Sequence, residues 1–222
     1  MDQKFKKQEN RLSFRDKHSA ARRIWHWCSS LAIMALLCTV LIASTLLKPR
    51  NNVSVIQEKL QEKGVTVSAD QAKAVAKTLN KQVWVWHKYI GVALALLFLF
   101  RIVLEFFEPR GQSLLSRIRK GALYLREPGH KNKEAKHYLF VKYLYLLFYG
   151  FILTLVLTGL GIIYSDDFQL LKSSKETLKD IHSFCMYGVM GFIVLHIGGI
   201  LRAELGKEPG ISSDMIHGGK HN

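Results

Sequence analysis

The sequence predicts an all-α integral membrane protein, a four-helix bundle with both termini in the cytoplasm. Of its 222 residues 49% are hydrophobic, yet 32 Lys and Arg oppose 17 Asp and Glu, giving a net charge of +15. Long windows with hardly any charge alternate with basic segments, as in membrane proteins with several spans. A nucleic-acid-binding protein needs its basic residues on a soluble core, and little sequence is left to build one. We therefore expect lipid, and no nucleic acid, as a partner.

Four windows are long and apolar enough to cross a bilayer, which takes about 20 apolar residues at about 1.5 Å each. The predicted spans are residues 24–47, 83–107, 138–164 and 181–201. The first is longer than the apolar region of a signal peptide and lacks a small-residue cleavage site, so we predict a retained helix. The predicted organisation is a basic leader at 1–23, a membrane domain at 24–201 and a tail at 202–222.

The basic residues predict the orientation of the spans. With four spans, the leader, the connection between the second and third spans, and the tail share one side of the membrane, and together they carry nineteen Lys and Arg. The two connections on the other side carry ten. Because the more basic side is normally the cytoplasmic one, we predict that both termini are cytoplasmic.

Two connections are predicted to contain helices of their own. In the outer connection, 48–82, the segments 54–57 and 68–71 both match the S-x-x-Q capping box, and Gly64 stands where a helix would end. These signals predict two short helices on the outer face. On the other side, residues 113–125 have an apolar and a basic face, as an interfacial helix has, although a solvated basic connector fits the same pattern.

Four of the nine histidines lie within the predicted spans, where an ionisable group is costly and therefore indicates function. They are His26, His87, His182 and His196. Along a helix, His182 and His196 are separated by about 21 Å in rise and by about 40° less than four full turns in rotation. These two side chains therefore share one helix face near opposite edges of the bilayer, with His182 outside and His196 inside.

The directions of the spans sort the four histidines into two pairs of equal depth. The first span runs outward, so His26 lies at the inner edge with His196. The second runs inward, so His87 lies at the outer edge with His182. Two imidazoles from facing helices are the axial ligands of six-coordinate haem iron, so we predict two haems with these four residues as cofactor-binding and iron-ligating groups. No Cys-x-x-Cys-His occurs, which excludes covalently attached haem.

Two further residues are predicted to serve the haems. Arg101 follows His87 by fourteen residues, so it lies on the same face at the inner depth. A buried cation there needs a partner such as a haem propionate or a quinone oxygen. Gly91, one turn after His87, leaves room for a flat macrocycle, although close helix packing explains a glycine there equally well.

Other interpretations of the histidines stay open at this point. A structural zinc site has four ligands and a catalytic one three, whereas each depth offers two histidines. A histidine-dependent transporter of metal ions or protons would need a carboxylate-rich site within the membrane. No Asp or Glu lies at the depth of either pair.

Several segments carry a resemblance to a known family. They are Arg23-Ile-Trp-His26-Trp27, His87-Lys-Tyr-Ile-Gly91 with Arg101, Leu157-Thr-Gly159, His182 with His196, and Gly210 to Gly218. The chain resembles, over about residues 15–218, the bacterial cytochrome b561 family and the related di-haem cytochrome b subunit of nickel–iron hydrogenases. The resemblance implies a multi-pass protein of the bacterial inner membrane with two non-covalent haems b.

The resemblance also implies a function: electron transfer across the membrane between a quinone pool and a redox partner at one face. The alternative is a haem-bearing anchor subunit of a respiratory oxidoreductase complex, as in hydrogenases. We expect the partner to bind at the outer connection or at the cytoplasmic face. The outer connection, 48–82, is longer than in the compact members of the family.

Overall fold

The computed structural model describes residues 19–107, 113–125, 132–206 and 215–216. The predicted leader before residue 19 and most of the predicted tail lie outside these residues. Within the described ranges the chain is all-α, as predicted, and contains no strand. The helices are α1 (Ala20–Ser44), α2 (Pro49–Gln61), α3 (Ala69–Phe106), α4 (Leu114–Tyr124), α5 (Asn132–Ile163), α6 (Gln169–Ser173) and α7 (Lys175–Glu204).

Four of these helices are long and apolar enough to cross a membrane, and each overlaps one predicted span. The candidate spans are Ala20–Ser44, Ala69–Phe106, Lys136–Ile163 and Lys175–Glu204. In the most apolar part of each, 11% of the residues are buried within the protein. Large side chains such as Leu31 and Phe184 are 72% and 71% exposed. Surfaces of this kind are suited to lipid, so the chain is a multi-pass membrane protein.

The first connection contains one separate helix instead of the two predicted. Helix α2 begins after Lys48 with Pro49 in its first turn, so Ser54 lies inside the helix and its predicted capping box is wrong. Proline suits that position because its fixed φ is helical and its missing N–H needs no partner. Ser68 does cap α3: its hydroxyl accepts from the Gln71 N–H at 3.2 Å, and the Gln71 side chain accepts from the Ser68 N–H at 2.8 Å. Helix α3 then continues without a break through the predicted second span.

Gly64 ends α2, as predicted. Its φ is 74°, in the left-handed region that favours glycine. Its N–H donates to the carbonyl of Gln61 at 2.9 Å, and the Val65 N–H donates to that of Leu60 at 3.0 Å. These two bonds satisfy carbonyls at the helix end that have no partner further along. The turn brings the beginning of α3 back against α2.

The chain divides into two compact units. The larger, Cys28–Met190, contains α2 to α6 with most of α1 and α7. In it α3 packs against α2 and α5, and α4 packs against α5. The other unit joins Met1–Trp27 to Gly191–Asn222. In its described part, Arg23 Nη1 and Trp27 Nε1 donate to the carbonyls of Ile216 and Met215, at 3.2 and 3.4 Å.

An asparagine fixes α3 against the end of α1 in the larger unit. Asn80 Nδ2 donates to the carbonyls of Ala43 and Leu47, at 2.8 and 2.9 Å. These carbonyls lie in and after the last turn of α1, where no intrahelical donor follows. The contact sets the register of the two helices one to two turns away from Thr39 and His87.

Candidate metal centres

His87 and His182 lie together within the larger unit. Their ring centroids are 6.5 Å apart, and the ring planes are inclined at 69°. His87 projects from α3 and His182 from α7, and both are partly buried. This is one of the two pairs that the helix directions predict.

Each of these imidazoles contacts a threonine hydroxyl from a different helix. Thr39 Oγ1, on α1, lies 2.7 Å from Nδ1 of His87. Thr158 Oγ1, on α5, lies 2.9 Å from Nδ1 of His182. All four candidate membrane helices therefore supply a side chain to this pair, and two of those side chains are hydrogen-bonding partners of the rings.

Gly159 lets the ring of His182 lie close to α5. A Cβ atom at this position would come within 3.3 Å of Cε1 and 3.8 Å of Nδ1 of His182. A larger residue would push the ring away from the Thr158 hydroxyl. Thr158 and Gly159 both belong to the segment Leu157-Thr-Gly159, which therefore forms the surface of α5 that the ring of His182 packs against.

His26 and His196 form the second pair, within the smaller unit. Their ring centroids are 6.3 Å apart with an interplanar angle of 55°. Aromatic rings flank both histidines. Trp27 meets His26 edge-on at 5.3 Å, and Phe192, one turn before His196, stacks on it at 5.6 Å with the planes 11° apart.

The separation within each pair suits one metal ion between two imidazoles. Metal–nitrogen bonds of about 2 Å on both sides, with each ring centre roughly 1 Å behind its nitrogen, give a centroid distance of roughly 6 Å. Among the described residues, no group of three or more His, Cys, Asp and Glu side chains is placed to hold a metal ion. Two-histidine ligation fits this set of donors, and a zinc site with three or four protein ligands does not.

Arg101 has two partners within the protein that were not predicted from the sequence. Its Nη2 lies 2.7 Å from Oε2 of Glu105, one turn further along α3, and its Nε donates to the Tyr149 hydroxyl at 3.3 Å. The side chain is 13% exposed. Glu105 also accepts from the backbone N–H of Leu114, the first residue of α4. The predicted contact of Arg101 with a propionate or a quinone stays a prediction.

Gly91 lies beside open space. A Cβ atom there would meet nothing within 4 Å outside its own helix backbone. Close helix packing therefore does not explain this glycine. That a macrocycle fills this space stays a prediction.

Thr39 and Thr158 were not predicted as site residues from the sequence, and Lys142 was not predicted as a buried cation. No signal in the sequence identifies Thr39, because a threonine in a helix commonly bonds to its own backbone. Thr158 lies in Leu157-Thr-Gly159, a segment that carries the family resemblance, but its hydroxyl was given no role there. Lys142 is 7% exposed in α5, with its ammonium 4.9 Å from the ring centre of Tyr138. A lysine in an apolar window is a signal of the same kind as Arg101, and it was available from the sequence.

Comparisons with known proteins bear on this arrangement. Neither the curated proteins nor the solved structures gave a match. A family model described as prokaryotic cytochrome b561 matches residues 17–218, a range that contains both histidine pairs. Membership of that family implies haem b as the cofactor and electron transfer as the function. The chain belongs to the prokaryotic cytochrome b561 family.

Proposed function

We propose that the chain is a di-haem b-type cytochrome that carries electrons across the membrane between a quinone pool and a redox partner at one face. The observation that carries this proposal is the presence of two separate histidine pairs, with ring centroids 6.3 and 6.5 Å apart. Each pair suits one iron ion, and the family requires haem b.

In this proposal His26 and His196 hold one haem, and His87 and His182 hold the other. Haem b, when bound by two histidines, supplies reversible one-electron transfer at an iron with no open coordination position. The histidines would contribute neutral nitrogen ligands, and all four are partly buried. Oxygen binding is not expected, because the two histidines of each pair would leave the iron no free coordination position.

Two other side chains are proposed to contact the cofactors. Gly91 leaves space one turn after His87 that a flat macrocycle would fill. Arg101 is the proposed partner of a haem propionate or a quinone oxygen, in addition to its ion pair with Glu105.

We also propose that both termini lie in the cytoplasm. The distribution of Lys and Arg supports this orientation. The hydrogen bonds from Arg23 and Trp27 to the carbonyls at 215–216 add support, since they join the beginning of α1 to the tail within one unit. The inner membrane of a bacterium is the proposed location.

A second candidate function is that of a haem-bearing anchor subunit in a respiratory oxidoreductase complex. Helix α2 and the beginning of α3 favour it, because they lie outside the apolar windows and expose Val55, Val75 and Leu79, each to nearly half of its surface. A redox protein is the proposed partner of this surface. A transporter is less well supported, because the described residues contain no cluster of three metal ligands.

The experiment that tests the proposal is haem quantification on the purified protein with reduced-minus-oxidised spectra. We expect two haems b per chain. His87→Ala and His182→Ala should each remove the same spectral component, and His26→Ala and His196→Ala the other. His137→Ala, an exposed histidine on α5, is the matched control and should retain both components.

Two results would contradict this. A protein without haem would overturn the electron-transfer function and favour the transporter. One haem per chain would mean that one of the two pairs has a packing role. Reduction of both haems by added quinol, in the purified chain alone, would distinguish the cytochrome from an anchor subunit that needs its complex.

A further inference from the structure

We infer that Thr39 and Thr158 are positioning residues that determine which ring nitrogen of His87 and His182 is available to iron. The inference rests on the proposed haem site at this pair. It concerns two hydroxyl groups that the proposed function does not use, and it follows from counting their protons.

The hydroxyl of Thr39 has a single proton, and that proton is already committed. Thr39 Oγ1 lies 2.6 Å from the carbonyl oxygen of Leu36. Two oxygen atoms at that distance need a proton between them, so the hydroxyl donates to this carbonyl. Towards Nδ1 of His87, at 2.7 Å, the same oxygen therefore has lone pairs to offer. Nδ1 of His87 must carry its own proton and donate it.

The same count applies to Thr158. Its Oγ1 lies 2.6 Å from the carbonyl oxygen of Thr154 and 3.3 Å from that of Leu155. The hydroxyl proton therefore points along its own helix, and Oγ1 accepts from Nδ1 of His182 at 2.9 Å. The two threonines lie on different helices and hold the two histidines in the same way.

The consequence for the pair is a fixed tautomer. A neutral imidazole has one protonated nitrogen and one with a free lone pair. With Nδ1 protonated on both rings, Nε2 of His87 and Nε2 of His182 are the nitrogens that bind a metal ion. Gly159 supports this arrangement, because a side chain there would displace the ring of His182 from the hydroxyl.

The hydroxyls also affect the reduction potential of the proposed haem. An acceptor on Nδ1–H makes the imidazole a stronger electron donor, and such outer contacts commonly change metal affinity by about tenfold or more. A stronger donor stabilises ferric over ferrous iron and lowers the potential. Removal of the acceptor should therefore raise it. A tenfold change in the ratio of ferric to ferrous affinity corresponds to about 59 mV for one electron.

The test is a potentiometric titration of the holoprotein with Thr39→Val and Thr158→Val, which remove the hydroxyls and keep the branched shape. Thr39→Ser and Thr158→Ser keep the hydroxyls. Two matched controls remove threonine hydroxyls that bond to their own backbone: Thr45→Val after α1 and Thr78→Val on α3. Haem content and the electron paramagnetic resonance of the ferric protein are measured on each variant.

We expect each valine variant to raise the potential of the component that His87→Ala removes, and to leave the other component unchanged. The serine variants and the controls should match the wild type. Loss of that haem in the valine variants with full retention in the serine variants also supports the inference.

Unchanged potentials in valine variants that hold both haems would overturn the inference and leave the proposed function intact. Equal loss of haem in the valine and serine variants would overturn it as well, because the methyl packing and not the hydroxyl would then be required. A wild-type protein without haem would instead overturn the proposed function.

Discussion

The two histidine pairs have nearly equal ring separations, 6.5 and 6.3 Å, but different surroundings. His87 and His182 are each held by a threonine hydroxyl from a neighbouring helix. Aromatic rings flank both pairs: Trp27 and Phe192 lie beside His26 and His196, and Trp84 lies edge-on to His87 with ring centroids 5.4 Å apart.

This difference separates two ways of fixing a ligand. A hydroxyl acceptor fixes one tautomer and acts on the electron density of the ring, so its contribution is electronic as well as geometric. An aromatic neighbour restricts the orientation of the ring through packing. We therefore expect the two pairs to respond independently: changes to the Thr39 or Thr158 hydroxyl should act on the proposed haem at His87–His182, and changes to Phe192 on the one at His26–His196.

The largest expected effect comes from Gly91→Leu. A Cβ atom at this position meets nothing within 4 Å outside its own helix backbone, and leucine in a helix is better than glycine by about 1 kcal/mol, so we expect the fold to keep its stability. The side chain takes the space proposed for the macrocycle, so haem content should fall from two towards one per chain, with loss of the His87–His182 component alone.

Gly150→Leu, on the outward surface of α5, is the matched control, since a Cβ atom there also meets nothing within 4 Å. Haem quantification and thermal unfolding of both variants check the prediction. Full haem content in Gly91→Leu would remove Gly91 from the site.

A smaller effect is expected from Phe192→Leu, which keeps the apolar volume beside His196 and removes the stacked ring. Aromatic pairs contribute about 0.5–1.5 kcal/mol beyond burial, so retention of the haem at His26–His196 should weaken by roughly tenfold at most. Its electron paramagnetic resonance signal should shift as the imidazole reorients, and the other signal should not.

Phe184→Leu on the same helix is the control, because Phe184 is 71% exposed. A shift in the signal of the His87–His182 haem in Phe192→Leu would contradict the independence of the two pairs.

The smallest effect is expected from Asp166→Asn, in the connection before α7. Asp166 accepts a hydrogen bond from the Lys175 ammonium at 3.0 Å, and this bond and charge lower the pKa of the Asp166 carboxyl. A lowered pKa means that the contact stabilises the fold above the ordinary value of about 4, and that the stabilisation is lost as pH falls through the lowered pKa.

The ion pair is exposed, so the unfolding temperature of Asp166→Asn should be only slightly below that of the wild type at pH 7. The two unfolding temperatures should become equal at acidic pH. Thermal unfolding at several pH values measures this, with Asp167→Asn as the control. A change in either haem spectrum would show that this connection supports a metal centre. The side chains beside the histidines would then not be the only ones that determine the properties of the two pairs.

Much of the fold could be predicted because each span is a local property of the sequence. The four apolar windows and the Ser68 capping box were recognisable without tertiary contacts. The beginning of α2 was not, because Ser54 carries a capping pattern while Pro49, five residues earlier, already starts the helix. Two local signals competed, and the earlier one determined the helix.

The candidate site divides in the same way. Helix periodicity and the directions of the four spans together predicted the two histidine pairs, because a fixed rise and turn per residue determine depth and face along a span. The partners of those side chains depend on how the helices lie against each other. These partners are the Thr39 and Thr158 hydroxyls and the close approach of His182 to Gly159. Each contact joins two helices that are separated in sequence, and a single sequence does not show which helices contact each other. The sequence therefore predicted which histidines pair, and only the tertiary structure decided which nitrogen of each histidine in the His87–His182 pair contacts a threonine hydroxyl, because that contact depends on how separate helices pack.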